Sequence, residues 1–359
     1  YVAGMSTLPE PQWLENCWYV AAMGEELADG LIARTIMDRP LVLFRDANGQ
    51  AVALEDRCCH RFAPLHRGRL IDGNLQCGYH GLTFDGSGKC ISIPGQTAIP
   101  EDARVRSFPL IEQYDWLWIW VGDPALADPA DIPDFHWISD PAWTGVGERL
   151  HLKADYRLLI DNLLDLSHLT FLHETTIGAA AVADTQAQVS RDGDVVKMTR
   201  WMLNSDPPPL FTRVAGFTDP IDRWQIIDFV PPGYVRLDLG GAPAGSGAPE
   251  GDRSAGIERW NLNAITPETA STTHYFWHEC RNFNLDDAAL SQTFFDGVHE
   301  AFMEDLAMIE AQQKVRDLNP SAPHIDINAD NAPLQARRIM ERLIAAERAA
   351  RTEESVAAE

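Results

Sequence analysis

Two short clusters decide the reading of this chain: Cys58-Cys59-His60-Arg61-Phe62-Ala63-Pro64-Leu65 and, with sixteen residues between it and His60, Cys77-Gly78-Tyr79-His80-Gly81-Leu82. As a pattern they are C-x-H followed by C-x-x-H. Each lies at a turn beside strand-like text, so two hairpin tips can bring two thiolates and two imidazoles together. Glycines at 68, 73, 78 and 81 give the backbone room to close around a central group. Working outward, Leu41-Val42-Leu43-Phe44, Ala51-Val52-Ala53-Leu54 and Leu117-Trp118-Ile119-Trp120-Val121 are short apolar runs. Turn signals such as Asp46-Ala47-Asn48-Gly49 and Asp85-Gly86-Ser87-Gly88 separate them, which predicts a small all-β unit.

The rest of the chain is of another kind. Pro124, Pro129, Pro133 and Pro141 mark a linker. Beyond it, 155–168 predicts a helix, because Leu159, Leu163 and Leu166 repeat at spacings of four and three without glycine or proline. Strand-like runs return over 186–278, broken by loops of which 240–256 is the longest. A helix over 290–318 follows, and the text from Ala332 is helical and charged. The expected class is α+β, with an all-β N-terminal domain and a C-terminal domain of curved antiparallel sheet and helices. The expected divisions are an N-terminal segment over 1–15, a first domain over 16–125, a linker over 126–150, a second domain over 151–350 and a frayed tail over 351–359.

Composition narrows the function. At roughly 150 residues per domain, 359 residues predict two domains. A 45% hydrophobic and 23% charged chain can bury a core, which excludes wholesale disorder. A net charge of -24 excludes nucleic acid and anionic membrane as main partners, since phosphate selects basic surfaces. No apolar run reaches the ~18 residues of a membrane span. Six cysteines are too few for a disulfide scaffold, and a reducing, cytoplasmic compartment is expected. Tyr1-Val2-Ala3-Gly4, ahead of Met5, reads as a tag scar, and no secretory signal follows.

Two cysteines with two histidines suit tetrahedral zinc, or a Rieske [2Fe-2S] centre in which two histidines replace two cysteines on one iron. Zinc sites of this composition pair like ligands, whereas here each loop supplies one of each, which favours the iron–sulfur centre. Cys17, Cys90 and Cys280 read as ordinary small core residues.

A second constellation lies in Asp161-Asn162-Leu163-Leu164-Asp165-Leu166-Ser167-His168-Leu169-Thr170-Phe171-Leu172-His173. Asn162, Asp165 and His168 step by three along one helical face. His173 would sit about 140° from His168 on a regular helix, so their convergence requires the helix to end or distort between them. Two histidines and a carboxylate form the facial triad of non-heme Fe(II) oxygenases. On the helix of Phe295, Val298, Phe302, Leu306 and Ile309, Asp305 falls roughly 60° from the centre of the apolar stripe. Glu304 points almost opposite, and Glu310, about 80° off on the other edge, competes with Asp305. His136, His151, His274, His278, His299 and His324 read as core or surface residues.

The text of the two clusters resembles the Rieske motif of ring-hydroxylating oxygenases, with Cys59 where many relatives carry proline. The resemblance extends over N16-C-W-Y-V-A21, D161-N-L-L-D-L-S-H168, D222-R-W-Q225, I265-T-P-E-T269 and E304-D-L306. It is strongest to vanillate O-demethylase oxygenase components and related aromatic-acid monooxygenases. It implies Cys58, His60, Cys77 and His80 as [2Fe-2S] ligands, with Cys59 a bystander. It implies His168, His173 and Asp305 as ligands of mononuclear iron and Asn162 close to that iron. Asp165 would bridge an iron-ligating histidine and the Rieske histidine of a neighbouring subunit, in a head-to-tail homotrimer. The implied fold of the second domain is the helix-grip. The implied activity is an NAD(P)H- and O2-dependent monooxygenase or demethylase. A separate reductase or ferredoxin would supply electrons, and a small aromatic acid such as vanillate would be O-demethylated with release of formaldehyde. Asn263 is a candidate partner of the substrate carboxylate. Hydroxylation of another aromatic acid or aryl methyl group, a Rieske electron carrier without oxygenase activity, and a structural zinc protein are the competing readings.

Overall fold

In a computed structural model, which describes residues 13–173, 185, 187–323 and 325–357, three small antiparallel sheets make up the N-terminal unit. The first joins β1 (Trp18–Met23), β11 (Trp116–Trp120) and β10 (Leu110–Gln113). The second orders β2 (Ile32–Ile36), β3 (Arg39–Arg45), β4 (Ala51–Glu55) and β9 (Ser107–Phe108). The third orders β5 (Arg69–Ile71), β6 (Asn74–Gln76), β7 (Thr83–Phe84) and β8 (Cys90–Ser92), and it carries the second cysteine–histidine loop between β6 and β7.

The C-terminal unit is one seven-stranded antiparallel sheet, in the order β12-β18-β17-β16-β15-β14-β13. The strands are β12 (Thr144–Leu152), β13 (Gln188–Asp192), β14 (Val195–Ser205), β15 (Ile221–Val230), β16 (Tyr234–Pro243), β17 (Ile257–Thr269) and β18 (Thr272–Arg281). The helices against it are α1 (Tyr156–Leu164), α2 (Leu169–Leu172), α3 (Pro209–Ala215), α4 (Ala288–Leu318) and α5 (Asn331–Ala357). The strand β12 begins inside the stretch expected as a linker, and β16 runs through Pro243, into the expected long loop. Helix α5 continues to Ala357, past the point where fraying was expected. His324 and residues 1–12 lie outside the described residues.

Strand β11 shows why the two units adhere. All of Trp116-Leu117-Trp118-Ile119-Trp120 is buried, although alternate side chains must leave a strand on opposite faces. Leu117 and Ile119 enter the core of the N-terminal sheets. Trp116, Trp118 and Trp120 pack with Tyr234, Leu262 and Phe276 of the large sheet. The junction therefore buries large aromatic side chains, each worth roughly 3 kcal/mol. Hydrogen bonds reinforce it: Thr266 Oγ1 donates to the Val20 carbonyl at 2.8 Å, and the Tyr234 hydroxyl donates to that of Trp18.

His274 crosses the same junction, its Nε2 donating to the Thr35 carbonyl at 2.9 Å. Burial, with the nearby Arg34 and Arg149 guanidinium groups, pushes His274 down to about 4 from 6.5, and burial does the same to His278. The fold favours the neutral ring, so this stability is complete above 6.5 and is lost as pH falls towards 4. Each histidine contributes roughly 3 kcal/mol at the limit. A thermal melt at pH 5 is expected to fall several degrees below that at pH 7, and His274→Gln is expected to narrow the difference to the share that His278 carries.

Candidate metal centres

The two cysteine–histidine loops are built to one plan. The Cys58 N–H donates to the Ala63 carbonyl at 2.9 Å, and the Cys58 carbonyl accepts from Phe62 N–H at 2.9 Å. The Cys77 N–H donates to the Leu82 carbonyl at 2.8 Å, and the Cys77 carbonyl accepts from Gly81 N–H at 3.1 Å. In both loops the fourth residue after the cysteine is left-handed: Phe62 at φ 58 and Gly81 at φ 76. That conformation costs Phe62 about 1–2 kcal/mol, which the fold meets in order to shape the turn. The loops also touch backbone to backbone, since a Cβ on Gly78 would lie 2.6 Å from the Arg67 carbonyl oxygen.

Cys58 and Cys77 are 2% exposed, and the His60 N–H is hydrogen-bonded to the Cys58 sulfur. His60 and His80 are exposed, with ring centroids 4.5 Å apart. The pair of loops thus presents sulfur inward and imidazole outward. A single zinc ion would draw four donors to within about 4 Å of one another, given bonds of 2.0–2.3 Å. Among the described residues, the only His/Cys/Asp/Glu group that converges within 4.8 Å is a different one. The four donors therefore fit a two-iron cluster better than one ion. Cys59 is half-buried against Cys90, and Cys90 and Cys280 are buried.

The convergent group is His168, His173 and Asp305. Sequence pattern starts α1 at its N-cap Asp155, whose carboxylate accepts from Arg157 N–H at 3.0 Å. The helix stops at Asp165, which is extended at φ -121 and ψ 93. The single helix expected over 155–168 is therefore broken. The Asp165 carboxylate caps a 3-10 turn over Leu166–His168 by accepting from Ser167 N–H at 2.8 Å, and α2 follows. This break turns the chain so that the His168 and His173 ring centroids lie 5.2 Å apart.

Both tautomers are set by hydrogen bonds. His168 Nδ1 donates to the main-chain carbonyl of Asp165 at 2.5 Å, and His173 Nδ1 donates to Glu304 Oε2 at 2.6 Å. Each Nε2 is left with a lone pair. Those lone pairs face Asp305 Oδ1 at 3.4 Å and 3.2 Å. The His173 ring is fully buried and its Nε2 has no hydrogen-bond partner, while Asp305 is 4% exposed. Three acceptors, those of His173 and Asp305 buried and that of His168 partly so, face one another and form a seat for a cation. Asn162 Nδ2 donates to Asp305 Oδ1 at 2.8 Å and orients it.

Some expectations change here. Glu304 does not point away, because its long side chain reaches back to the His173 ring. Glu310 is not part of the group; its carboxylate accepts from Lys153 N–H at 3.0 Å. The carboxylate of Asp165 caps a turn, and it is the carbonyl of Asp165 that receives the His168 proton. Asn263 is corrected as a substrate contact. It is fully buried and spent on the Val235 carbonyl, Asn261 Oδ1 and the Tyr275 hydroxyl, and it does not line the cavity beside the triad.

That cavity holds roughly 160 Å3, and a comparable apolar void of about 150 Å3 accepts a benzene ring. Leu163, Leu166 and Phe302 close it near the triad, and Arg223, Gln225, Arg259 and Asn261 form a polar wall on the sheet. The arginines escaped sequence analysis. The text D222-R-W-Q225 was visible, but nothing local says that the side chain of Arg223 is enclosed.

A sequence profile of the Rieske [2Fe-2S] domain matches residues 17–109, and one of the vanillate O-demethylase oxygenase C-terminal domain matches residues 152–346. The iron–sulfur subunit of the toluene-4-sulfonate monooxygenase system of Comamonas testosteroni is 44% identical over 340 residues, covering 93% of this chain and 98% of that one. A vanillate O-demethylase oxygenase subunit from a Pseudomonas strain is 38% identical over 348 residues, covering 94% and 96%. The crystal structure of dicamba monooxygenase bound to 3,6-dichlorosalicylic acid superposes with a TM-score of 0.87 at 36% identity, covering 94% of this chain and 99% of that one. The chain belongs to the Rieske non-heme iron oxygenases, as an oxidoreductase oxygenase component that works with a [2Fe-2S] cluster, non-heme iron and electrons from NAD(P)H through a separate reductase.

Proposed function

We propose that this oxygenase component O-demethylates a methoxylated aromatic acid, with vanillate as the leading candidate. The observation that carries the reading is a single ring-sized cavity with the histidine–carboxylate triad on one side and arginine side chains on another. Relatives named as vanillate and dicamba O-demethylases support it. The relative named for toluene-4-sulfonate favours a second reading, oxidation of an aryl methyl group by the same site.

His168, His173 and Asp305 would hold the iron, which when bound activates dioxygen. The chain's own contribution is placement. The Asp165 carbonyl and Glu304 hold the two imidazoles with Nε2 facing the cavity, Asn162 holds the carboxylate, and Leu163, Leu166 and Phe302 keep water out. The ring must lie with its methoxy carbon towards the triad. Hydroxylation of that carbon gives a hemiacetal, which collapses to a phenol and formaldehyde. Overall, methyl ether, dioxygen, NADH and a proton become phenol, formaldehyde, water and NAD+. Cys58, His60, Cys77 and His80 would hold the cluster, with the exposed His60 and His80 edge facing the donor and a neighbouring subunit. Asp165 would carry electrons across the interface of a head-to-tail homotrimer. No described helix is long and apolar enough to cross a membrane, and six cysteines without a disulfide among them suit a reducing cytoplasm.

The test supplies a generic reductase and NADH to the holoprotein with methoxybenzoates, vanillate among them, and in parallel with toluene-4-sulfonate. Formaldehyde equal to NADH consumed is the expected result. A hydroxymethyl product from toluene-4-sulfonate, with no formaldehyde from any methoxybenzoate, would move the assignment to the second reading. No oxidised product from either set would overturn both.

A further inference from the structure

The polar wall of the cavity has one cation too many. Arg259 is neutralised, because its guanidinium grips Glu279 with Nε at 2.6 Å and Nη2 at 2.5 Å. Asn261 is spent between Glu279 Oε2, to which it donates at 3.1 Å, and Asn263 Nδ2, from which it accepts at 2.8 Å. Gln225 Oε1 accepts from Arg200 Nη1 at 2.9 Å, which leaves its amide NH2 as a donor. Arg223 has no carboxylate or hydrogen-bond partner among the described residues, and its Nε is buried and unsatisfied. The adjacent Asp222 does not serve it, for that carboxylate accepts from the main chain at Asn204 and Gly245. The guanidinium rests over the Phe211 ring, 5.4 Å from its centroid. Burial and the Arg259 charge push the Arg223 guanidinium down to about 10, yet it remains charged at neutral pH.

An uncompensated charge inside a low-dielectric cavity is costly, and an anion in the same cavity removes the cost. Leu239 separates Gln225 from Arg259 across the register, and Arg223 pairs with Gly241, so these three polar side chains share one face. We infer that Arg223, with the Gln225 amide beside it, is the seat for the anionic group of the aromatic substrate, a carboxylate or a sulfonate. This deepens the proposed function and rests on its reading of an aromatic acid. A planar fork of N–H donors matches either oxyanion. The seat also gives the ring a direction, since the anion held on the sheet leaves the ring to extend towards the triad on the helices.

The test is a binding measurement, needing neither reductase nor dioxygen turnover. Benzoate, benzenesulfonate and the neutral isostere benzamide are titrated by calorimetry into the oxidised holoprotein. The expected result is that at least one anion binds ten- to a hundredfold more tightly than benzamide, the ratio that a charge-assisted pair supports. Arg223→Gln is expected to bring that ratio to near one with benzamide binding unchanged, and Arg223→Lys to keep part of it. The tighter of the two anions assigns carboxylate or sulfonate. Equal binding of benzoate, benzenesulfonate and benzamide to the unaltered protein would overturn the seat, as would an undiminished ratio in Arg223→Gln. Should the glutamine variant not fold, the unaltered protein and the lysine variant still decide. Anion-selective binding without formaldehyde from any methoxybenzoate would overturn the demethylation reading and leave the seat standing.

Discussion

Asp305→Ala is expected to strip the protein of its mononuclear iron and its turnover while leaving the cluster's visible absorption and EPR signal unchanged. The carboxylate is the only anionic member of the triad, and its Oδ1 lies within 3.4 Å of both imidazole Nε2 atoms. Alanine leaves two neutral rings, which hold a divalent ion far more weakly than two rings and a carboxylate do. It also strands the Asn162 amide, whose acceptor is Asp305. The contrast is Glu304→Gln. That variant keeps an oxygen for the His173 Nδ1 proton but loses the charge that makes the ring a stronger ligand, so its iron affinity should fall roughly 10–100-fold. The loss in Asp305→Ala should exceed that range. Iron content by metal analysis, with the cluster spectrum as internal control, checks both. Full iron content and turnover in Asp305→Ala would place the carboxylate ligand elsewhere.

The second large effect separates two adjacent thiols. Cys58→Ser is expected to give a protein without the cluster's colour or EPR signal, and Cys59→Ser a protein that keeps both. Cys58 is 2% exposed, sits beside Cys77 and opens the loop whose hydrogen bonds repeat around Cys77. Cys58 shares a side-chain hydrogen bond with Cys77, whereas Cys59 has none with it. Because a cluster bound only by the folded loops stabilises them by mass action, Cys58→Ser should also melt earlier than Cys59→Ser. A colourless Cys59→Ser beside a coloured Cys58→Ser would reverse the assignment.

What the sequence could show depended on how local each feature was. The two loops were legible because ligand type and spacing are local, and their shared hydrogen-bond plan follows from the turn each cysteine opens. His168 and His173 were half legible. The spacing demanded a break between them, but the place of the break depends on Asp165 capping the next turn. Asp305 was legible as a carboxylate at the edge of an apolar stripe. Glu304 was misread because a helical wheel places Cα atoms, whereas a glutamate spans several ångströms and reaches a ring brought in from another helix. Asn263 and Asn261 lie on the same face of β17, and only the position of α4 above the sheet decides which of them meets the cavity. The loneliness of Arg223 could not be read from the sequence, because it depends on Glu279 being occupied by Arg259, three strands from any text around residue 223.

The triad side chains come from the 3-10 turn after α1, the end of α2 and α4, while the polar wall of the cavity comes from β15 and β17. These are separate pieces of chain, so inheritance can alter one without disturbing the other. A lineage can exchange residues on the strands and acquire a new nutrient, keeping the helices and thus the oxidising chemistry intact. Relatives that bear the names of toluene-4-sulfonate, vanillate and dicamba on one shared framework are what such a division of labour produces. Laboratory selection for new substrates would then find its most forgiving positions on the sheet.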